Sequence, residues 1–166
     1  SLLAEYTAGT QLHASYEGRV EYYRRLILAS PYKDTYAYVR AEMTELSERG
    51  HTEKAIGILE NYLKRWRRTN HEYAMVCFDL AELYGKLGNS TKRLYYLVQS
   101  AISDVYSSSK ENNSLRLLAD ELFDQGDVER AYNYMNVSIE DANFYGTRLR
   151  NIQNAHILPR IFSAYI

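Results

Sequence analysis

Histidine, cysteine and paired carboxylates are the side chains best suited to metal, nucleophilic or acid–base chemistry, and here their spacing argues against all three. A zinc protease pattern would place two histidines four apart with an intervening glutamate. His13, His51, His71 and His156 are scattered and fit no ligand spacing, so each reads as a surface or cap residue. A thiol nucleophile needs a neighbouring base. Cys77 instead falls at helical spacing with Leu80, Ala81 and Tyr84 on an apolar face, where a thiol packs as a small hydrophobe. The pairs Glu42/Glu45, Asp120/Asp124 and Glu140/Asp141 are of the kind common on solvated helices. "GKLGNS" (85–90) has Gly and Lys but not the order or length of a phosphate loop. No cofactor or metal is implied, and the chain reads as non-enzymatic.

The densest charge is "KRWRR": Lys64, Arg65, Trp66, Arg67 and Arg68. Two readings are open. Cations at the C-terminal end of a helix complement its dipole. Alternatively, they form a patch for an acidic partner or a lipid surface, with Trp66 as anchor.

These residues need elements to hold them. The chain has 166 residues, enough for one domain with a sizeable core. Apolar residues are 46% and charged residues 25%, as in ordinary folded proteins. Its 20 basic and 21 acidic residues nearly cancel, which argues against a general nucleic-acid binder. Two prolines and eight glycines favour long helices over a turn-rich β fold. The 17 tyrosines suit half-buried helix faces, with ligand stacking as the lesser alternative. One cysteine excludes an internal disulfide and leaves the compartment open. No apolar run approaches the length of a membrane span. "SLLAEY" and "IFSAYI" both read as cuts through a larger protein.

The organisation is repetitive. "ERGHTEKAIGIL" (48–59), "KLGNSTKRLYYL" (86–97) and "DQGDVERAYNYM" (124–135) share a glycine, at Gly50, Gly88 and Gly126, which returns every 38 residues. Seven residues before it stand Met43, Ala81 and Ala119, and four before it Leu46, Tyr84 and Leu122. Five after it stand Ala55, Arg93 and Ala131, and nine after it Leu59, Leu97 and Met135. Offsets of three and four are helical, not strand-like. Each unit therefore reads as helix, glycine turn, helix: the glycine ends one helix in the left-handed conformation. Polar residues, His51-Thr52, Asn89-Ser90 and Asp127, start the next. The residue four after each glycine is basic, Lys54, Lys92 or Arg130, and is expected to be solvated.

The pattern predicts helices near 10–29, 32–49, 52–68, 71–87, 90–108, 111–125, 128–145 and 147–164. Ser30 and Pro31 are the expected cap and first turn of the second. Leu12, Tyr16, Val20, Tyr23 and Ile27 are expected to share a face of the first, and Pro159 to kink or end the last. The implied organisation is one domain: a truncated upstream unit (1–31), repeats at 32–69, 70–107 and 108–146, and a C-terminal capping helix (147–166).

"LAELYGKLGNSTKRLYYL" (80–97) and "LADELFDQGDVERAYNYM" (118–135) resemble the tetratricopeptide repeat (TPR). That repeat is usually 34 residues, and the excess here is about one helical turn, which lengthens a helix without rotating its buried face. Met43 and Arg93 stand where the repeat has small residues, and Glu42 where it has an apolar one. The resemblance implies an all-α, right-handed α-α superhelix of TPR-like hairpins. The first helix of each pair would line a concave face with Arg40, Thr44 and Glu48, then Phe78, Glu82 and Lys86, then Arg116, Asp120 and Asp124. Mixed charge with one aromatic suits a protein or peptide rather than a nucleic acid.

"HEYAMVCFDLAELYGKLGN", "SAISDVYSSSKE" and "EDANFYGTRLRNIQ" carry a closer resemblance, over about 70–160, to a Bacteroides-type family of TPR-containing regulators of unknown function. That resemblance implies a region outside the inner membrane, in the periplasm. A membrane span, a coiled coil and a cytoplasmic DNA-binding end would follow in the parent chain. The alternative is a cytoplasmic scaffold or oligomerisation module. The apolar ends, Leu2, Leu3, Ile161, Phe162, Tyr165 and Ile166, motivate it and leave a homodimer open.

Overall fold

The computed structural model describes residues 11–107, 113–144, 146 and 148–166. Leu2, Leu3 and most of the 107–113 connection lie outside the described residues. The order is α1 (Gln11–Leu28), α2 (Tyr36–Glu48), α3 (Thr52–Leu63), α4 (His71–Lys86), α5 (Ser90–Tyr106), α6 (Asn113–Asp124), α7 (Val128–Phe144) and α8 (Arg148–Tyr165). No strand occurs among the described residues. The fold class is all-α, a TPR-like helical repeat.

The repeated glycine does what its spacing implies. Gly50, Gly88 and Gly126 have φ of 81°, 70° and 84°, the left-handed region that a side chain would strain. Each closes its helix with the same two bonds, the Schellman arrangement. The N–H of the following residue donates to a carbonyl five positions back: His51 to Leu46 (2.8 Å), Asn89 to Tyr84 (2.9 Å) and Asp127 to Leu122 (2.9 Å). The glycine N–H donates to Ser47 (3.1 Å), Gly85 (3.0 Å) or Phe123 (2.9 Å). Two of the next helices are then capped by side chains. Asn89 Oδ1 accepts from Lys92 N–H (3.0 Å), and Asp127 Oδ1 from Arg130 N–H (3.1 Å).

Positions at equal offsets from the glycines share one fate. Met43, Ala81 and Ala119 are buried, as are Leu59, Leu97 and Met135. Ala55 and Ala131 are fully buried, whereas Arg93 is half-buried.

Three boundaries differ from the sequence expectation. Helix α2 begins at Tyr36, not near 32, because Thr35 rather than Ser30 is its cap: Thr35 Oγ1 accepts from Tyr38 N–H (3.3 Å). Helix α3 ends at Leu63, so all of "KRWRR" lies past it. Pro159 does not end α8, which runs to Tyr165. On α1, Tyr16, Val20 and Ile27 are half-buried, but Tyr23 is exposed.

The chain divides into two compact units, Ser1–Ile58 and Leu59–Ile166. In the first, α1 packs against α2. In the second, α4 packs on α5, α6 on α7, α5 on α6, and α8 on both α7 and α6. Its core gathers Leu118, Ala119, Leu122, Ala131, Met135, Ile157 and Ile161.

Arg130 holds the Asp127 carboxyl below its usual range through side-chain and backbone hydrogen bonds. The folded pKa is therefore lower than the unfolded one. The cap's contribution is present above the unfolded carboxylate range and is lost as pH falls through the folded value. Asp127→Ala should lower Tm by a few degrees at neutral pH. The gap from the parent chain should shrink below about pH 4 in thermal melts followed by circular dichroism.

Candidate functional site

The residues expected to bind lie on the first helix of each hairpin, α2 in the first unit and α4 and α6 in the second. In the first unit, Arg40 is exposed, and Thr44 is half-buried with its hydroxyl donating to the Arg40 carbonyl (2.7 Å). Glu48 is held by Arg24 from α1, with Nη2 to Oε1 at 2.9 Å. The nearby recess of about 400 Å³ is lined by Glu21, Glu45 and Glu48 together with Arg24, Arg25 and Arg49. Its charges compensate one another: Arg25 pairs with Glu21 (2.8 Å), Arg24 with Glu21 (3.4 Å) and with Glu48, and Arg49 with Glu45. Such a set satisfies itself and leaves no surplus charge for a substrate.

In the second unit, Phe78 is half-buried on α4, with Glu82 and Lys86 exposed further along the helix. On α6, Arg116 turns back to Asn113 Oδ1 (3.0 and 3.2 Å). Asp120 and Asp124 are brought together by Arg160 of α8, at 3.3 and 3.1 Å. The same guanidinium lies 5.2 Å from the centre of the Phe123 ring. Arg160 was not among the sequence candidates. Its contacts cross 36 and 40 residues of chain, which no local pattern reports.

Arg93, the departure from the small residue of the repeat, is accommodated by a second departure. A Cβ at Gly85 would collide with the Arg93 guanidinium, so Gly85 supplies the space that the arginine fills. From there Arg93 reaches Glu121 (2.6 Å) and stands 3.9 Å from Glu82. Glu82 is thus tied loosely and Glu121 closely.

Of the recurring basic residues, Lys54 is exposed as expected, while the other two also make contacts. Arg130 pairs with Asp127 (2.6 Å), while Lys92 donates to the Tyr84 hydroxyl (2.9 Å) and lies over that ring at 4.7 Å. Tyr84 and Tyr96 stack at 5.6 Å and both donate to Glu60 Oε1, at 2.9 and 3.2 Å. Burial, followed by the Glu60 charge, pushes the Tyr96 phenol far above its ordinary range. These tyrosines are packing and hydrogen-bonding residues with no free ring face between them.

The "SAISD" string acquires a physical role. Ser100 donates to the Ala74 carbonyl (2.8 Å) and shares a 2.6 Å bond with Ser114. Ser103 donates to the Asn70 carbonyl (3.2 Å), and buried Asp104 stands 3.7 Å from His71 Nδ1. Short polar side chains thereby tie α5 to the starts of α4 and α6. Buried hydroxyls need such partners, because an unsatisfied one is costly.

Cys77 is fully buried, and desolvation pushes its thiol up to about 12, so at neutral pH it is a thiol and not a thiolate. No group of His, Cys, Asp and Glu among the described residues could hold a metal ion.

A family model described as the SusR N-terminal TPR domain matches residues 1–156. The chain belongs to this family. Crystal structures of the nearly identical TPR-like repeats of a Podosopora anserina protein assigned as a kinesin light chain share its fold. One has a TM-score of 0.53 at 14% identity, covering 98% of this chain and 93% of that one. A point-substituted form also gives 0.53 at 14% identity, covering 97% and 90%. At that identity the likeness speaks for the fold alone. No curated protein matches the chain. The described residues of this SusR-type TPR domain hold neither a metal cluster nor an activated thiol.

Cys77 should not react with a water-soluble disulfide reagent at about pH 8 in the native domain, and should react fully in denaturant. Rapid native reaction, followed by thionitrobenzoate release, would contradict its burial.

Proposed function

We propose that this SusR-type TPR domain is a non-catalytic module that binds a protein or peptide segment. In this reading it is the sensory part, outside the inner membrane, of a membrane-bound transcriptional regulator; the alternative location is the cytoplasm. One observation carries the binding reading. On α4, Phe78 is half-buried beside exposed Glu82 and Lys86, while Arg93 and Arg160 fix the carboxylates of α6. An aromatic ring framed by charges of both signs suits an extended peptide, which offers side chains and backbone polar groups together. The regulator reading is supported by the family's name and by the strings that resemble Bacteroides-type regulators. No described helix is long and apolar enough to cross a membrane, so the span would lie elsewhere in the parent chain. The near-neutral charge supports no nucleic-acid role for this region. The hairpins at 32–69, 70–107 and 108–146 would be the recognition units, between the 1–31 unit and the capping helix at 147–166. Binding would be transmitted by flexing between hairpins or by dimer geometry.

Panning a random peptide library against the domain should recover binders. Phe78→Ala should weaken them at least about tenfold by isothermal titration calorimetry, as for a central aromatic contact. Binders indifferent to Phe78 and to Glu82→Lys would place recognition elsewhere.

A second reading, an oligomerisation module, is favoured by the exposed apolar end of α8. Phe162 is 40%, Tyr165 48% and Ile166 94% exposed. Under it, light scattering should give a mass above the monomer that falls to the monomer in Phe162→Ser/Ile166→Ser. A monomer in both samples would reject it.

A further inference from the structure

The basic stretch at 64–68 is poorly explained by the helix it follows. A helix dipole acts within the last turn. Helix α3 ends at Leu63, so Arg67 and Arg68 lie beyond it. The stretch is nonetheless held in place. Trp66 is half-buried and its ring lies 6.0 Å from that of Tyr62. Tyr62 is pinned by its hydroxyl, which donates to Glu72 (3.1 Å). Arg65 lies over the Tyr62 ring at 5.4 Å, and the Arg68 guanidinium interacts with the Tyr73 phenol.

Folding does not neutralise this charge. Lys64, Arg67 and Arg68 are exposed and form no ion pair among the described residues. The carboxylates flanking the stretch in sequence, Glu60 and Glu72, accept from tyrosine hydroxyls instead. Several like charges on a pre-positioned loop repel one another, and an anionic partner relieves that repulsion.

The surroundings choose among anions. Within the stretch itself no large hydrophobic side chain is exposed, because Trp66 is half-buried beside Tyr62; the exposed Val105 and Tyr106 belong to the end of α5, near Asn70 and His71. The stretch therefore carries no exposed apolar anchor of its own for a membrane surface. It also carries no exposed aromatic ring of its own on which bases could stack. Three of its four cations are arginines, whose planar fork matches a carboxylate in two parallel hydrogen bonds.

Independently of the groove reading above, we propose that the 64–68 loop is a docking surface for an acidic polypeptide segment, with Trp66 as the internal post that positions it. A fluorescein-labelled oligoglutamate peptide is the probe, titrated by fluorescence anisotropy against the domain, with the emission of Trp66, the single tryptophan, as a second readout. Binding is expected to weaken with added salt. It should fall about tenfold in Lys64→Gln/Arg67→Gln, two exposed positions whose loss leaves the Tyr62 and Tyr73 contacts in place. The more severe Arg67→Glu should weaken it as well. The Trp66 emission change should track the anisotropy. No binding by the parent domain would overturn the proposal. So would equal binding by both variants, or tighter binding to single-stranded DNA or to phosphatidylglycerol vesicles than to oligoglutamate.

Discussion

Everything in the second unit depends on a helix being stopped at a fixed place. The N–H beyond each glycine turns back to the carbonyl five residues earlier, and the glycine's positive φ makes that bond reachable. Because the stop is geometric, the residues on either side fall into register. The position seven before the glycine and the one nine after it are buried in all three hairpins. A helix ended one residue early or late would rotate its apolar stripe by about 100° relative to its partner. The fold is thus set by hydrogen bonds at the hinges and filled by apolar side chains between them.

Around that frame, polar groups rather than bulk hydrophobes supply much of the specificity. Ser100, Ser103 and Ser114 join α5 to its neighbours through short hydroxyl bonds, two of them buried. Glu60 gathers the hydroxyls of two stacked tyrosines. Arg160 gathers two aspartates and faces an aromatic ring. The high tyrosine content becomes intelligible: rings fill half-buried helix faces while the hydroxyls find partners at the edge.

Much of this was legible before any coordinates. Periodicity and the recurring glycines located every described helix, and the buried offsets follow from them. Boundaries were less legible where two signals compete. Ser30-Pro31 has good start chemistry, yet Thr35 is the residue whose side chain accepts a free N–H of the first turn, that of Tyr38. The cations after Leu63 resemble a helix end but follow one. What could not be read at all were contacts between residues remote in sequence, such as Arg160 with Asp120 or Tyr96 with Glu60. Those depend on how helices pack, and no local rule encodes them. Serine and aspartate in "SAISD" looked like family markers; their role emerges only when α4 and α6 stand beside them.

The pairing of Gly85 with Arg93 bears on how far these hairpins can be treated as exchangeable parts. At the corresponding places the neighbouring hairpins carry Ser47 with Ala55 and Phe123 with Ala131. The middle hairpin has moved its bulk from one helix to the other and spends the arginine on Glu121 of the next helix pair. A chimera that imports a neighbouring hairpin's α4 equivalent alone would push that flexible guanidinium aside and away from Glu121. One that imports the α5 equivalent alone would leave a void beside Gly85 and an uncompensated Glu121. The two helices and the following α6 travel as one module, so the unit of exchange here is larger than the unit of repetition.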